Sequence, residues 1–321
     1  MKKTWRIVLP ALLVGSFISF ADTKDKREIN DKAVTEEICP CEMEGMDPEE
    51  AYNRSMANAG VSQQVSKETP KYLNPNIPIE ERIDDLLPRL TLEEKVIQLS
   101  DSWGSKGIAR LKIPAMLKTE GLHGQSYATG STIFPHGINM GSTFDTELIQ
   151  EVGKATAIEA KAANLRVSWS PVLDVARDAR WGRVEETYGE DPYLVGRIGV
   201  AWIKGFQGEH MFACPKHFAG HGQPVAGRDS HDYGLSDRVM RNIHLAPFRD
   251  VIKEANAFGV MAAYGLWNGV PDNGSKELLQ KILREEWGFE GFVVSDCSGP
   301  ENIQRKQSVV GTMEEAAAMA V

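Results

Sequence analysis

The sequence has little of what marks several large classes of protein. Cysteine is scarce, with 4 residues in 321, and the spacing of Cys39, Cys41, Cys214 and Cys297 is not that of a zinc site. Basic residues are fewer than acidic ones, 36 against 45, and the net charge of −9 argues against a nucleic-acid partner, which requires a basic face. No apolar run after residue 21 is long enough to span a bilayer. We therefore expect no metal, no cofactor, no nucleic acid and no membrane span in the mature chain.

The first 21 residues differ from the rest of the chain. Lys2, Lys3 and Arg6 precede an apolar stretch over 7–20, and small residues stand just before Asp22. A charged start, an apolar middle and a small-residue cleavage site are typical of a secretory signal peptide. A buried N-terminal helix is the alternative interpretation of the same residues. We expect cleavage before Asp22 and a periplasmic or secreted protein.

The remaining chain divides into a polar leader, 22–76, and an ordered domain, 77–321. The leader is rich in Lys, Glu, Asp and Asn and shows little sustained periodicity, which is typical of a linker or a loosely ordered segment. In the ordered domain, amphipathic helices alternate with short apolar strands. The predicted strands are 115–119, 166–170, 211–214, 259–264 and 292–295, and the predicted helices include 145–163, 191–206, 236–254 and 275–288. This alternation predicts an α/β domain in which crossover helices join parallel strands.

Two observations decide between a barrel and an open sheet. An open doubly wound sheet usually carries a glycine-rich phosphate turn after its first strand, and the sequence has none. Polar residues instead follow strand after strand, which is where a (β/α)8 barrel builds its site. The sequence therefore predicts a TIM-like (β/α)8 barrel. A capping box over 312–315 opens a helix that is still running at Val321, so we expect the barrel to be cut before its last strand.

Six polar side chains of complementary chemistry stand at or near the ends of these strands. They are Glu120, Arg183, Lys216, His217, Tyr264 and Asp296. Carboxylates, a guanidinium, an ammonium, an imidazole and a phenol that converge on one face can hold several neighbouring sugar hydroxyls, and the two cations can keep carboxylates ionised. Taken singly, Glu120 and Arg183 could instead form an ion pair at the rim. Lys216 and His217 could lie in a solvated loop, and Asp296 could cap a helix.

Six segments of the sequence together resemble glycoside hydrolase family 3. They are Lys-Thr-Glu-Gly-Leu-His-Gly (118–124), Trp-Ser-Pro-Val-Leu-Asp (169–174), Arg-Asp-Ala-Arg-Trp-Gly-Arg (177–183), Glu-Thr-Tyr-Gly-Glu-Asp-Pro (186–192), Lys-His-Phe-Ala-Gly-His-Gly (216–222) and Gly-Phe-Val-Val-Ser-Asp (291–296). They occur in the family's order and cover about residues 79–310. The resemblance is to the N-terminal barrel of the β-glucosidase and β-xylosidase type. It implies a TIM-like barrel and a retaining double displacement through a glycosyl-enzyme.

The family's motifs assign roles to the strand-end residues. By this resemblance Asp296 is the nucleophile. The residues that match the innermost sugar subsite, or the tyrosine near the nucleophile, are Glu120, Arg183, Lys216, His217 and Tyr264. Asp174 and Asp178 fall within matched segments and are expected to support the site.

The general acid/base has two candidate locations. Long family members carry it as a Glu on a second domain after the barrel, and we expect that C-terminal domain to be absent from a chain that stops at Val321. Short members use an Asp-His pair on a loop after the Lys-His-Phe motif, where this sequence has Asp229 and His231. A neutral imidazole held by a carboxylate is a suitable proton donor near neutral pH. The loop is longer here, however, and residues 227–229 resemble the long members.

The function implied by the resemblance is that of a retaining exo-β-glycosidase. Its substrates would be the terminal non-reducing β-D-glucosyl or β-D-xylosyl residues of oligosaccharides. Glu120 stands where many glucoside-cleaving relatives have the shorter Asp, and a longer side chain would crowd a hexose hydroxymethyl group and suit a pentose such as xylose. Two alternatives stay open: a β-N-acetylglucosaminidase that uses Asp229 and His231, and a truncated barrel that binds sugars without hydrolysing them.

Overall fold

The computed structural model describes residues 69–100, 104–126 and 129–321, so the signal segment predicted over 1–21 and the leader up to residue 68 lie outside it. Within these ranges, no helix combines the length and the apolarity that a membrane span requires. The end of the predicted leader contains a short 3₁₀ turn in which Tyr72 is buried and donates its hydroxyl to the Leu111 carbonyl at 2.7 Å.

Helices and short strands alternate along the described chain. The α-helices are α1 (Ile79–Leu86), α2 (Leu92–Ser100), α3 (Gly137–Gly141), α4 (Thr146–Ala162), α5 (Pro192–Gly208), α6 (Asp237–Val239), α7 (Ala246–Ala255), α8 (Gly299–Arg305) and α9 (Met313–Ala320). The π-helical segments are Met240–His244 and Lys276–Glu286. The strands are β1 (Gly104–Ser105), β2 (Met116–Thr119), β3 (Val167–Ser168), β4 (Phe212–Ala213), β5 (Gly259–Ala262), β6 (Leu266–Trp267), β7 (Val270–Pro271) and β8 (Phe292–Ser295).

Parallel strands lie side by side in the order in which they occur in the chain. In the first set β2 pairs with β3 through Lys118 and Val167, and β3 pairs with β4 through Val167 and Phe212. In the second set β5 and β8 pair along all four residues of each strand. A parallel bridge between Phe218 and Ala262 joins the two sets, and β1 lies antiparallel to β2 at the outer edge. This is the predicted α/β arrangement, although the described strands β1 to β5 and β8 form an open array that does not close into a barrel, and β6 and β7 form a separate antiparallel pair.

The helix starts agree with the capping residues that the sequence contains. Asp145 caps α4 and Asp191 caps α5, and each side chain accepts the backbone N–H three residues later, at 2.9 and 2.8 Å. Thr312 and Glu315 form the predicted capping box at the start of α9. Each cap satisfies backbone donors that the first helical turn leaves without an intrahelical partner.

The helix predicted over 236–254 is interrupted in the structure. Ser236 caps its start as predicted, but α6 gives way to a π-helical turn in which the Leu245 N–H donates to the Met240 carbonyl at 2.8 Å. Pro247 follows directly and has no N–H to donate to the carbonyl four residues earlier. The regular α-helical ladder therefore cannot run through this point, and α7 begins anew at Ala246.

Helices α4 and α5 touch backbone to backbone because glycine stands at the contact. A Cβ atom at Gly153 would collide with the Trp202 carbonyl, and one at Gly205 would collide with the Gln150 carbonyl. Close approach of this kind requires residues without a side chain. The two helices therefore pack as one unit over the strands.

The strands are buried on both faces. In β5 and β8, Val260 and Val293 belong to the large core formed with the helices, whereas Met261 and Val294 belong to a second cluster around Trp169. Successive side chains of a strand point to opposite faces of the sheet, so the alternation places one apolar cluster on each side. Burial of both faces is what the continuous apolar runs of these strands predict.

Two isoleucines of α4 provide a matched test of this core. Ile149 is 1% exposed and Ile158 is 50% exposed. We expect Ile149→Ala to lower the free energy of unfolding by about 2–5 kcal/mol, because it leaves a cavity in the core. The same change at Ile158 should alter it by no more than about 0.5 kcal/mol. Urea unfolding of both variants measures the difference, and equal losses would contradict the assignment of the buried helix face.

Candidate active site

The carboxyl ends of the parallel strands bring the predicted side chains to one edge of the sheet. Glu120 directly follows β2 and Asp296 directly follows β8. Lys216 and His217 follow β4, and Tyr264 follows β5. In parallel α/β domains, loops at this end of the strands carry the functional residues. The fold thus collects residues that are up to about 180 positions apart in the chain.

Glu120 and Lys216 form an ion pair in this cluster. The Lys216 Nζ lies 2.8 Å from Glu120 Oε2, and the ammonium is buried whereas the carboxylate is partly open to solvent. The alternative pairing of Glu120 with Arg183 does not occur, because Arg183 pairs with Glu186. Nor is Lys216 in a solvated loop. The open side of Glu120 is available to accept hydrogen bonds from a ligand.

Asp296 is held from several directions at the end of β8. Its Oδ1 accepts the backbone N–H of Cys297 at 2.7 Å, and its Oδ2 lies 3.5 Å from His217 Nε2. Burial raises the pKa of the carboxyl, while the charges of Lys216 and Arg183 and a hydrogen bond from the Tyr264 hydroxyl act in the opposite direction. The side chain is 13% exposed, so a small path to solvent remains. The cluster therefore presents a confined carboxylate beside two cations.

Arg183 reaches the cluster from the loop between β3 and α5. Its Nε and Nη2 donate to the two Glu186 carboxylate oxygens at 2.7 and 2.8 Å. Its Nη2 also lies 3.0 Å from His217 Nε2, and its Nη1 lies 3.2 Å from His221 Nε2. The guanidinium is thus fixed in one orientation by a two-pronged ion pair and two imidazoles.

Glu186 and His221 contact Arg183 in the structure, although the sequence motifs alone do not single them out as site residues. Both lie inside segments that carry the family resemblance, at 186–192 and 216–222. The spacing of three residues between Arg183 and Glu186 is the signal that could have indicated their pairing. No comparable local signal connects His221 with Arg183, because their contact depends on the tertiary fold.

Asp174 supports His217 from the side opposite the guanidinium. The Asp174 Oδ2 lies 2.7 Å from His217 Nδ1 and accepts the backbone N–H of His217 at 3.2 Å. Burial lowers the pKa of His217 well below its usual value and raises the pKa of Asp174 to about 8. The imidazole is therefore neutral and fixed between a carboxyl group and Arg183.

The structure places Asp229 and His231, the two residues of the alternative acid/base, in different surroundings. Asp229 Oδ1 accepts the Trp181 indole N–H at 2.8 Å and lies 3.7 Å from His221 Nε2, so this carboxylate stands at the margin of the cluster. The His231 side chain is exposed, and its backbone carbonyl accepts the Leu266 N–H at 3.3 Å. The hydrogen bonds and ion pairs of the described residues do not join Asp229 to His231.

The cluster combines a buried carboxyl group, two cations, a phenol and neutral imidazoles in one confined place. Such groups can hold vicinal hydroxyls, and a carboxylate among them can act as a nucleophile. Across 69–100, 104–126 and 129–321, no three His, Cys, Asp or Glu side chains are arranged as metal ligands.

Comparison with known proteins identifies the family. Residues 91–321 match the family model of the glycosyl hydrolase family 3 N-terminal domain, and the chain belongs to this family. The match confirms the resemblance drawn from the six sequence segments. The family match also extends the matched region from about residue 310 to residue 321.

The relatives that are similar to this chain include proteins named as β-xylosidases and proteins named as β-glucosidases. The chain is 38% identical over 257 residues to a β-xylosidase of Formosa agariphila, with 76% of this chain and 35% of that protein covered. It is 38% identical over 225 residues to a β-glucosidase of Rhizobium radiobacter, with coverage of 68% and 27%. β-Glucosidase 3B of Thermotoga neapolitana, solved in complex with α-D-glucose, superposes with a TM-score of 0.60 at 31% identity, with coverage of 67% and 34%. The chain thus spans about a third of the length of these relatives.

The buried imidazole of His221 predicts a dependence of stability on pH. Burial lowers the pKa of His221 from 6.5 to about 4. Between these values the unfolded chain binds a proton that the folded chain does not, so stability falls as the pH falls. The slope from this one group is at most about 1.4 kcal/mol per pH unit. Urea unfolding across the same pH range should show a shallower slope for His221→Gln than for the unmodified protein.

A matched control is available for this measurement. His210 is exposed, and His210→Gln removes an imidazole that is not enclosed by the fold. This variant should keep the slope of the unmodified protein. A slope unchanged by His221→Gln, or flattened equally by both variants, would contradict the assignment.

Proposed function

We propose that the protein is a retaining exo-β-glycosidase and that Asp296 is its nucleophile. The observation that carries the proposal is the setting of Asp296 at the end of β8, where its side chain is 13% exposed, its Oδ1 accepts the Cys297 N–H and its Oδ2 lies 3.5 Å from His217 Nε2. Family membership supports it, because the family is one of glycosyl hydrolases. In this proposal the parallel array is part of a TIM-like barrel.

The proposed reaction proceeds in two displacements. A carboxylate oxygen of Asp296 attacks the anomeric carbon, the bond to the leaving oxygen breaks, and a glycosyl ester forms. Water then attacks the same carbon and restores the free carboxylate. The charges of Lys216 and Arg183 oppose the effect of burial on the pKa of Asp296 and so favour the ionised form that attacks. Glu120, Lys216 and Arg183 hold the hydroxyls of the sugar, and His217 lines the same subsite while it orients Arg183.

The leaving oxygen requires a proton donor. The longer family members carry this donor as a glutamate on a second domain, and this chain covers only about a third of the length of the relatives that it matches. We therefore assign the donor to such a domain of a full-length protein. Asp229, at the margin of the cluster, contacts the Trp181 indole and lies near His221, and we assign it a role in sugar binding.

The proposed substrate is a β-xyloside or β-glucoside at a non-reducing end. The names of the relatives support both sugars. Glu120 is held by Lys216 with its carboxylate partly exposed, so its length decides how much room a hydroxymethyl group finds beside it. The positively charged and apolar start of the sequence further supports a periplasmic or secreted enzyme.

A mechanism-based label tests the nucleophile. We expect a 2-deoxy-2-fluoro-β-xylosyl or -glucosyl fluoride to form a stable ester on Asp296, because fluoride departs without a general acid and the fluorine at C2 slows hydrolysis of the ester. Mass spectrometry of the intact protein and of its peptides measures the adduct. Asp296→Asn should remain unlabelled. Asp145→Asn, which keeps a helix cap outside the site, should label like the unmodified protein. An adduct on another residue would refute the assignment.

Glu120 provides a test of sugar preference. We expect Glu120→Asp to raise the rate of labelling by the glucosyl reagent relative to the xylosyl reagent by about tenfold or more, because the shorter side chain leaves space for the hydroxymethyl group. Glu120→Gln keeps the length and removes the charge that faces Lys216. It should slow both reagents and leave their ratio unchanged. A ratio that moves equally in both variants would show that length is not the cause.

A further inference from the structure

We propose that Asp174 is a positioning residue that fixes the tautomer of His217, so that Arg183 offers a single N–H to a ligand and His217 offers none to Asp296. The proposal rests on the distances around one buried imidazole. Its consequences for a sugar rest on the proposed function, whereas the tautomer itself does not.

The contact between Arg183 and His217 shows which nitrogen of the imidazole carries the proton. A guanidinium can only donate hydrogen bonds. The Arg183 Nη2 lies 3.0 Å from His217 Nε2, so Nε2 must carry the lone pair that accepts. A neutral imidazole has one N–H, which is then at Nδ1. That N–H points at Asp174 Oδ2, 2.7 Å away.

Asp174 is suited to hold this tautomer. Its Oδ2 accepts a second hydrogen bond, from the backbone N–H of His217 at 3.2 Å, so the oxygen is anchored to the main chain of the residue whose ring it orients. The Asp174 side chain is 1% exposed, so solvent does not compete for the contact. With this oxygen in place, the opposite tautomer would bring the Nδ1 lone pair against the accepting Asp174 Oδ2. It would also bring the Nε2 proton against the donating Arg183 Nη2.

The arrangement limits what Arg183 can give to a ligand. A guanidinium has five N–H groups. Glu186 accepts one from Nε and one from Nη2, His217 accepts the second from Nη2, and His221 accepts one from Nη1. One N–H of Nη1 is left over after these contacts among the described residues. Arg183 would therefore grip a sugar oxygen through a single hydrogen bond rather than a two-pronged one.

The same tautomer protects the nucleophile. His217 Nε2 lies 3.5 Å from Asp296 Oδ2, close enough for a small shift of the ring to create a hydrogen bond if Nε2 carried a proton. Such a bond would draw electron density from the carboxylate that is proposed to attack the sugar. Because Asp174 keeps the proton at Nδ1, Asp296 retains this lone pair.

Nuclear magnetic resonance of the 321-residue chain tests the tautomer directly. In protein labelled with ¹⁵N-histidine, long-range ¹⁵N–¹H correlations distinguish a protonated Nδ1 from a protonated Nε2. The chain has 7 histidines, and the signals of His217 are those lost in His217→Gln. We expect the Nδ1–H pattern for His217 at neutral pH. An Nε2–H pattern, or a doubly protonated ring, would overturn the proposal whatever the variants do.

Two substitutions at Asp174 separate positioning from a merely structural role. Asp174→Leu leaves a buried Nδ1–H without an acceptor, so we expect the proton to move to Nε2 and the contact between Nε2 and Arg183 to be lost. Asp174→Asn retains an amide oxygen that can accept both N–H groups, and it should keep the Nδ1–H pattern. Persistence of the Nδ1–H pattern in folded Asp174→Leu would overturn the proposal. Should Asp174→Leu fail to fold, the proposal is tested by the spectra of the unmodified chain and of Asp174→Asn. An Nε2–H pattern in either of them would overturn it.

The label for Asp296 gives a second readout. Asp174→Leu should label roughly tenfold more slowly, because one buried hydrogen-bond partner is lost and Arg183 is released, and Asp174→Asn should recover most of this loss. Equal losses in both variants, with the tautomer retained in Asp174→Asn, would overturn the positioning role. If no variant and not even the unmodified chain is labelled, the proposed function fails, and the tautomer measurement still stands by itself.

Discussion

The backbone of residues 216–218 is hydrogen-bonded on one side to residues 171–173 and on the other to residues 261–263. This stretch is where the two sets of parallel strands join, and His217 is its middle residue. Its ring meets Asp174, Arg183 and Asp296 at distances between 2.7 and 3.5 Å. A main chain fixed from both sides leaves the ring little freedom, so residues from three loops are positioned relative to it.

Burial and charge oppose each other throughout the cluster. Removal from water favours the neutral form of each carboxyl group, and it raises the pKa of Asp174 to about 8. Asp296 experiences the same effect, but Lys216 and Arg183 counter it. The same two cations also act on Asp174. Burial outweighs them at both positions, so the pKa of each carboxyl group stays above its usual value.

The sequence predicts features that depend on short-range chemistry. Strands such as 292–295 and caps such as Asp145 follow from apolar runs and from side chains that accept backbone N–H groups, and the structure contains both. Local patterns do not reveal two of the partners of Arg183, His217 and His221, because these approach it only through the tertiary fold. The sequence pattern does not reveal the π-helical turn before Pro247 for a different reason. An apolar periodicity continues through a proline even where the hydrogen-bond ladder cannot.

The contact between α4 and α5 also constrains how the sequence can diverge. Gly153 and Gly205 each face a carbonyl of the opposite helix, so any side chain there would have to push the helices apart. The outward faces of the same helices carry exposed residues such as Ile158 and Tyr193, where many side chains fit. Substitutions can therefore accumulate on the outside of this pair of helices, whereas the two glycines cannot change without moving the helices. A homologue that keeps both glycines can keep the same distance between the helices.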